Sequence, residues 1–290
     1  MVKTSDFIFK AGNGLSLFNP SFSENYSSKK ETTPLFDEQI KTLRKLQSML
    51  YAQARHGVLI ILQAMDAGGK DGVIKHVMSG VNPQGCQVKS FKAPSSKELA
   101  HDFMWRCFKA MPERGNIGIF NRSYYEEVLI AKIHPRLLAN QNLPFYHSKL
   151  HKDQQFWNTR YQDIVNIEKY FVHNGYTVLK FFLNISHEEQ KRRFLSRIEN
   201  PEKNWKFMMS DVIERQHWHE YQSAYKEMLE NTSHEPAPWY VIPADKKWYM
   251  RLVISKIIVE KLNKLDLSYP QVNDKHIEDM SKAKEMLNNE

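Results

Sequence analysis

LIILQAMDAGGKDGVI, residues 59–74, carries an apolar run into the turn Asp66-Ala67-Gly68-Gly69-Lys70-Asp71-Gly72 and out into an amphipathic segment. A strand, a glycine turn and a helix in that order aim backbone N–H groups and the positive end of a helix dipole at one point. That is how a phosphate is held. Lys70 at the helix mouth adds a cation able to reach outer phosphates, and Gly68, Gly69 and Gly72 let the backbone approach the anion. The match to the G-x-x-x-x-G-K-[ST] template is incomplete. Ala64 stands where the first glycine belongs, and Asp71 replaces the metal-binding hydroxyl. An ordinary tight turn is the competing reading. A carboxylate inside an anion-binding turn repels phosphate unless it holds a metal or orients a cation, so Asp66 is expected to serve a divalent ion. Its alternative is a turn or helix-cap aspartate.

Outward from this turn, short apolar runs at 57–65, 87–91, 117–120, 176–185 and 239–242 alternate with helical patterns. The latter lie at 71–79, 97–110, 149–173, 187–198, 211–230 and 247–262, and a further helix at 34–55 has Asp37 as its N-cap. Alternation of this kind predicts βαβ units, and runs as apolar as VLIIL predict strands covered on both faces. The expected fold is a three-layer α/β/α domain with a five-stranded parallel sheet. The expected organisation is an N-terminal extension and helix over 1–55, a core over 56–265 with its lid at about 187–212, and a charged tail over 266–290.

The 290 residues carry 41 Lys and Arg against 33 Asp and Glu, a surplus of +8. A basic surplus suits a polyanionic ligand, whether nucleotide, polyphosphate or nucleic acid. No apolar run of the roughly 18 residues that a membrane span needs is present, and the N-terminus lacks the apolar core of a secretory signal. Two cysteines, Cys86 and Cys107, cannot build a disulfide framework, so reduced thiols and a cytoplasmic location are expected. His147 and His151 lack a partnering glutamate, and His217 and His219 fall on different helix faces, so zinc is not expected. No G-x-S-x-G elbow marks a serine nucleophile.

Two more segments carry charge toward the same place. FNRSYYEEVL (120–129) ends an apolar strand in Asn121 and Arg122, with Glu126 a turn later, where a P-loop fold delivers its second acidic site. SHEEQKRRFLSRIENPEKNWKFMMSD (186–211) sets Lys191, Arg192, Arg193 and Arg197 on a helix before a proline-broken loop. It reads either as a solvated basic face or as a lid that closes over phosphates. Tyr124 and Trp205 are candidates to line a nucleotide pocket.

With MDAGGKDG (65–72), SGVNPQG (79–85), FNRSYYEEVL, RRFLSRIENPEKNWKF (192–207) and APWYVIPADKKWYMR (237–251) in this order, the chain resembles the polyphosphate kinase 2 family over about residues 35–265. The resemblance implies a three-layer α/β/α P-loop kinase fold with a helical lid, and Mg2+-dependent transfer, with Mn2+ as a substitute, from polyphosphate to nucleoside mono- or diphosphates. AMP, ADP and also guanine nucleotides are implied as acceptors, and a homo-oligomer, dimer or tetramer, as the assembly. It implies that Asp66 and Lys70 orient metal and phosphate, that Arg122 and Arg193 grip phosphate, and that Lys75 and Lys203 contact polyphosphate. Asn121, Tyr124 and Glu126 are then expected around the nucleotide. Many family members carry Asp at the place of Asn121, which shifts the metal toward Asp66 or Glu126. Two alternatives share parts of this pattern. An ATP-dependent nucleotide kinase of the thymidylate-kinase sort would have the same fold and ignore polyphosphate. A basic nucleic-acid-binding protein would have no use for the phosphate turn.

Overall fold

All five apolar runs are strands in the computed structural model, which describes residues 2–290. They are β1 (Gly57–Gln63), β2 (Cys86–Ser90), β3 (Ile117–Asn121), β4 (Tyr176–Asn184) and β5 (Trp239–Pro243). They form one parallel sheet in the order β2-β3-β1-β4-β5. Every residue of β1 is buried, as an unbroken apolar run in a sheet covered on both faces requires. The register pairs Leu62 of β1 with Asn121 of β3, so these strands end side by side. The segments that follow them therefore open on the same edge, where open α/β sheets place their ligands.

Helix Lys29–Gln53 packs along helix Lys247–Leu262, which also meets the short helix Lys70–Val77 behind the glycine turn. Helices Gln154–His173 and Trp218–Thr232 pack together, the former also lying on β4, and complete the three layers. Between sheet and helices lies an ion pair. Lys180 of β4 and Glu168 are fully buried and 2.6 Å apart. Glu168 also accepts from the hydroxyls of Tyr124 (2.9 Å) and Tyr125 (2.7 Å), while Lys180 donates to the Thr232 carbonyl. A buried charge is tolerable only when its bonding capacity is filled in this way.

Four local expectations are corrected. The first helix begins at Lys29, not at an Asp37 cap; the Ser27 and Ser28 hydroxyls donate to Glu31, and the Thr33 hydroxyl donates to the Lys29 carbonyl ahead of Pro34. The pattern at 97–110 is two short helices, Ser96–Leu99 and Trp105–Phe108. A Ser95/Glu98 capping box starts the first, and Asp102 takes the Met104 N–H in the turn between them, so side chains there compete with a continuous helix. The N-terminal extension is not an appendage but part of the core. Val2, Phe7 and Phe9 are buried, and Ile8 makes an antiparallel bridge to Tyr240 of β5. The charged tail contains helix Asp274–Asn288, capped by Asn273 and with no buried residue.

Candidate active site

Between β1 and helix Lys70–Val77 the chain makes a turn that few residues could make. Gly69 has φ +109°, and a Cβ on Gly68 would sit 2.6 Å from the Ala64 Cβ and 2.8 Å from the Met65 carbonyl oxygen. Ala64, in place of the template's first glycine, is thus the residue Gly68 packs against. Ala67 is left-handed as well, at φ +59°. That strain is held from outside: Arg193 Nη1 donates to the Ala67 carbonyl at 2.8 Å, and Gln190 Nε2 donates to the Asp66 carbonyl at 2.9 Å.

Lys70 folds back over the turn, its Nζ donating to the Ala64 carbonyl at 2.8 Å. Burial, and then the nearby Arg122 charge, lower its pKa to about 8, against the opposing pull of Asp66, Glu126 and Asp71. Arg122 follows β3 in a left-handed conformation (φ +63°), its N–H bonded to the Leu62 carbonyl of β1. Its guanidinium meets Asp66 at 2.6 Å and Glu126 at 3.7 Å. Asn121 Nδ2 donates to Asp71 at 2.8 Å. The turn and the end of β3 are therefore tied together by side chains of opposite polarity.

Over this floor lies a cavity of about 510 Å³. Its other walls come from helix His187–Glu199, from the turn Pro201–Lys206 and from helix Lys247–Leu262. Nine cationic side chains line it: Lys70, Arg122, Arg192, Arg193, Arg197, Lys203, Lys206, Lys247 and Arg251. Three carboxylates do: Asp66, Asp71 and Glu189. Arg192 and Arg193 share Glu189, and Arg197 meets Asp211 at 3.2 Å. Lys247 and Arg251, one helical turn apart, have no such partner among the described residues. Desolvation in the cavity wall and the charge of Arg193 lower the pKa of both, and Arg251 Nε is buried without a hydrogen-bond acceptor. Like charges crowded into a concave wall form a site preorganised for a polyanion.

The structure gathers Asp66, Lys70, Arg122, Arg193, Gly68, Gly69, Gly72, Asn121 and Lys203 around one cavity. It separates the others. Tyr124 is no pocket residue: it is buried in the core with its hydroxyl on Glu168. Lys75 is exposed on helix Lys70–Val77 and does not line the cavity. Glu126 lies behind Arg122, and Trp205 is exposed, with its indole N–H on the Glu202 carbonyl. Lys206, Lys247, Arg251, Glu189 and Gln190 are site residues that the sequence reading did not single out. The i, i+4 spacing of Lys247 and Arg251 directly after a strand was the available signal.

A divalent metal fits this donor set in one way. No group of three or more His, Cys, Asp or Glu side chains able to hold a metal occurs among the described residues. Asp66 and Asp71 flank Lys70 in the turn. One or two carboxylates suit Mg2+, which keeps several waters and completes its shell with substrate phosphates.

A family model described as "Polyphosphate kinase 2 (PPK2)" matches residues 25–270. An ADP-polyphosphate phosphotransferase of Rhodopseudomonas palustris is 49% identical over 262 residues, 90% of each chain. An AMP/ADP-polyphosphate phosphotransferase of Meiothermus ruber is 47% identical over 231 residues, 80% of this chain and 81% of its own. The crystal structure of polyphosphate kinase 2 from Arthrobacter aurescens TC1 superposes with a TM-score of 0.89 at 34% identity, covering 98% of this chain and 97% of that one. The matched span holds the glycine turn, the β3 end and all the cationic walls of the cavity, and on this ground the chain belongs to the polyphosphate kinase 2 family.

Proposed function

We propose that this protein transfers phosphoryl groups between inorganic polyphosphate and nucleoside mono- or diphosphates, AMP and ADP first and guanine nucleotides as well. The observation that carries the reading is the cavity itself, with nine cations against three carboxylates around a phosphate-binding turn. The names of the Rhodopseudomonas and Meiothermus relatives support it. In the transfer, an oxygen of the nucleotide's terminal phosphate bonds to the end phosphorus of polyphosphate, while the bond from that phosphorus to the rest of the chain breaks. The attacking oxygen is already anionic, so no strong base is needed. The protein's part is alignment and charge neutralisation. Lys70 and the N–H groups at the start of its helix face the transferred group, and Arg122, fixed by Asp66, reaches it from the β3 side. Lys203, Lys206, Lys247 and Arg251 hold the remaining polyphosphate. Asp66 and Asp71 would hold Mg2+, or Mn2+ in its place, which when bound offsets charge on the phosphate oxygens.

A cytoplasmic location and a homo-oligomeric state belong to the same proposal. No helix among the described residues is long and apolar enough to cross a membrane. Cys86 and Cys107 are free, with burial pushing their thiols up to about 11 and about 12.

The test is direct. Pure protein given polyphosphate, Mg2+ and AMP, ADP, GMP or GDP should yield the next higher nucleotide, and absence of any such product sinks the proposal. Phosphorylation that needs ATP and ignores polyphosphate would move the chain to the nucleotide kinases.

A pH dependence follows from Lys70. Its pKa in the free enzyme is about 8, and only its charged form attracts phosphate. The kcat/KM for polyphosphate, which reports the free enzyme, should fall as pH rises through about 8. At saturation kcat should hold to higher pH, because a bound phosphate raises the lysine again. A kcat/KM unchanged between pH 7 and 9 contradicts this role.

A further inference from the structure

The residues that brace the phosphate turn are themselves braced, through the segment after β5, by residues 18–23, which the family match leaves out. Arg193 reaches the Ala67 carbonyl with one arm and the carbonyls of Ala244 and Asp245 with the other. Those two carbonyls belong to the segment after β5, so that segment sets where the guanidinium sits. The Asp245 carboxylate holds the segment in turn. Oδ1 accepts the N–H of Ser186, the N-cap of the helix that carries Gln190 and Arg193, at 2.8 Å. Oδ2 accepts the Ser21 hydroxyl at 2.6 Å, and the Asp245 N–H donates to the Pro20 carbonyl at 3.1 Å.

Neighbouring contacts repeat the pattern. Lys246 donates to Ser23 at 2.7 Å, and Asn184 at the end of β4 donates to the Phe18 carbonyl at 2.7 Å. Phe22 meets Tyr249 edge to face at 6.1 Å. The next residue, Met250, places its methyl 3.2 Å from where a Cβ on Gly69 would stand. Two routes thus run from residues 18–23 to the turn, one through Asp245 and Arg193, the other through Tyr249 and Met250. The family match begins at residue 25, so residues 18–23 lie before it.

We infer that Asp245 and Ser21 are positioning residues for the phosphate turn, and that residues 18–23 are a working part of the active site. The inference rests on the proposed phosphotransfer for its kinetic readout. Neither residue lines the phosphate cavity. Asp245 fixes both the start of the arginine-bearing helix and the carbonyls that the arginine grips, so its loss lets the left-handed Ala67 relax. A misplacement on the order of 1 Å near the chemistry can cost as much as 10²-fold in rate.

The experiment uses the full chain, with initial rates at saturating ADP and polyphosphate and amide exchange over the turn. Asp245→Ala should lower kcat roughly tenfold, with little change in KM for ADP, and speed exchange of the amides at 67–70 while those of β1 stay protected. Ser21→Ala should lose less, and Ser21→Thr, which keeps the hydroxyl, should recover the loss. Placed in an Arg193→Lys background, Asp245→Ala should cost almost nothing further, because the two act through one junction. A folded Asp245→Ala protein with wild-type kcat and unaltered exchange overturns the inference, and so does a full additive loss in the double variant. If Asp245→Ala does not fold, the exposed Ser21 pair decides on the same readouts. A wild-type protein without transfer activity would reject the proposed function alone, and the exchange measurement would still judge the brace.

Discussion

Lys70→Ala should reduce phosphotransfer by on the order of 10²–10³, the usual cost of removing one preorganised group that stabilises transition-state charge. The reason is the environment of the ammonium. It is buried beneath the turn, anchored on the Ala64 carbonyl, and faces the cavity beside Asp66 and Asp71. In such surroundings water cannot replace a missing positive charge. The same burial makes a second, opposite expectation. The folded-state pKa, about 8, lies below the unfolded value of 10.5, so folding favours the neutral form. Holding the charge therefore costs stability below pH 8, and that cost fades as pH rises toward 10.5. Lys70→Met, which keeps the stem and removes the charge, should be at least as thermostable at pH 7 as the parent and nearly inactive. Initial rates of ATP formation from ADP and a thermal melt check both arms. Turnover within tenfold of the parent would remove Lys70 from the chemistry, and a large drop in Tm would make its role structural.

The parts of the fold that could be read from the sequence are those set by local pattern. β1 is legible because a strand buried on both faces has no polar side to break its apolar run, and the glycine turn is legible because Gly68 and Gly69 answer steric demands visible at single positions. The division of 97–110 into two helices was not legible. It depends on whether Ser95, Glu98 and Asp102 bond the backbone, which the apolar periodicity does not encode. Tyr124 was misread for a related reason. Next to a strand end it looks like a pocket aromatic, but the buried Glu168–Lys180 pair needs its hydroxyl, and both partners lie far along the chain. Lys247 and Arg251 became site residues only when their helix packed beside the turn. Their i, i+4 spacing marks one helix face, but not what that face docks beside.

Arg193 shows most clearly how a residue can be found by its charge and yet have a further task. The sequence marks it as a cation that grips phosphate. In the structure its Nε donates to Glu189 at 2.7 Å, Nη1 to the Ala67 carbonyl, and Nη2 to the Ala244 and Asp245 carbonyls. Four of its five N–H groups are thus committed to protein oxygens, and the remaining one, on Nη1, lies on the arm beside Gly69. Its planar fork joins three segments at fixed angles, a geometry that a lysine ammonium cannot reproduce. Arg193→Lys should therefore lose nearly as much rate as Arg193→Ala, about 10²-fold in kcat, even though it retains the positive charge. Arg251→Lys, at a side chain with no carboxylate partner, should keep most of the parent's rate and affect mainly the KM for polyphosphate. Full kinetics of the three variants separate geometry from charge. If Arg193→Lys stays within a few-fold of the parent while Arg193→Ala collapses, the charge alone is what matters there, and the turn must hold its left-handed Ala67 without the arginine's fork.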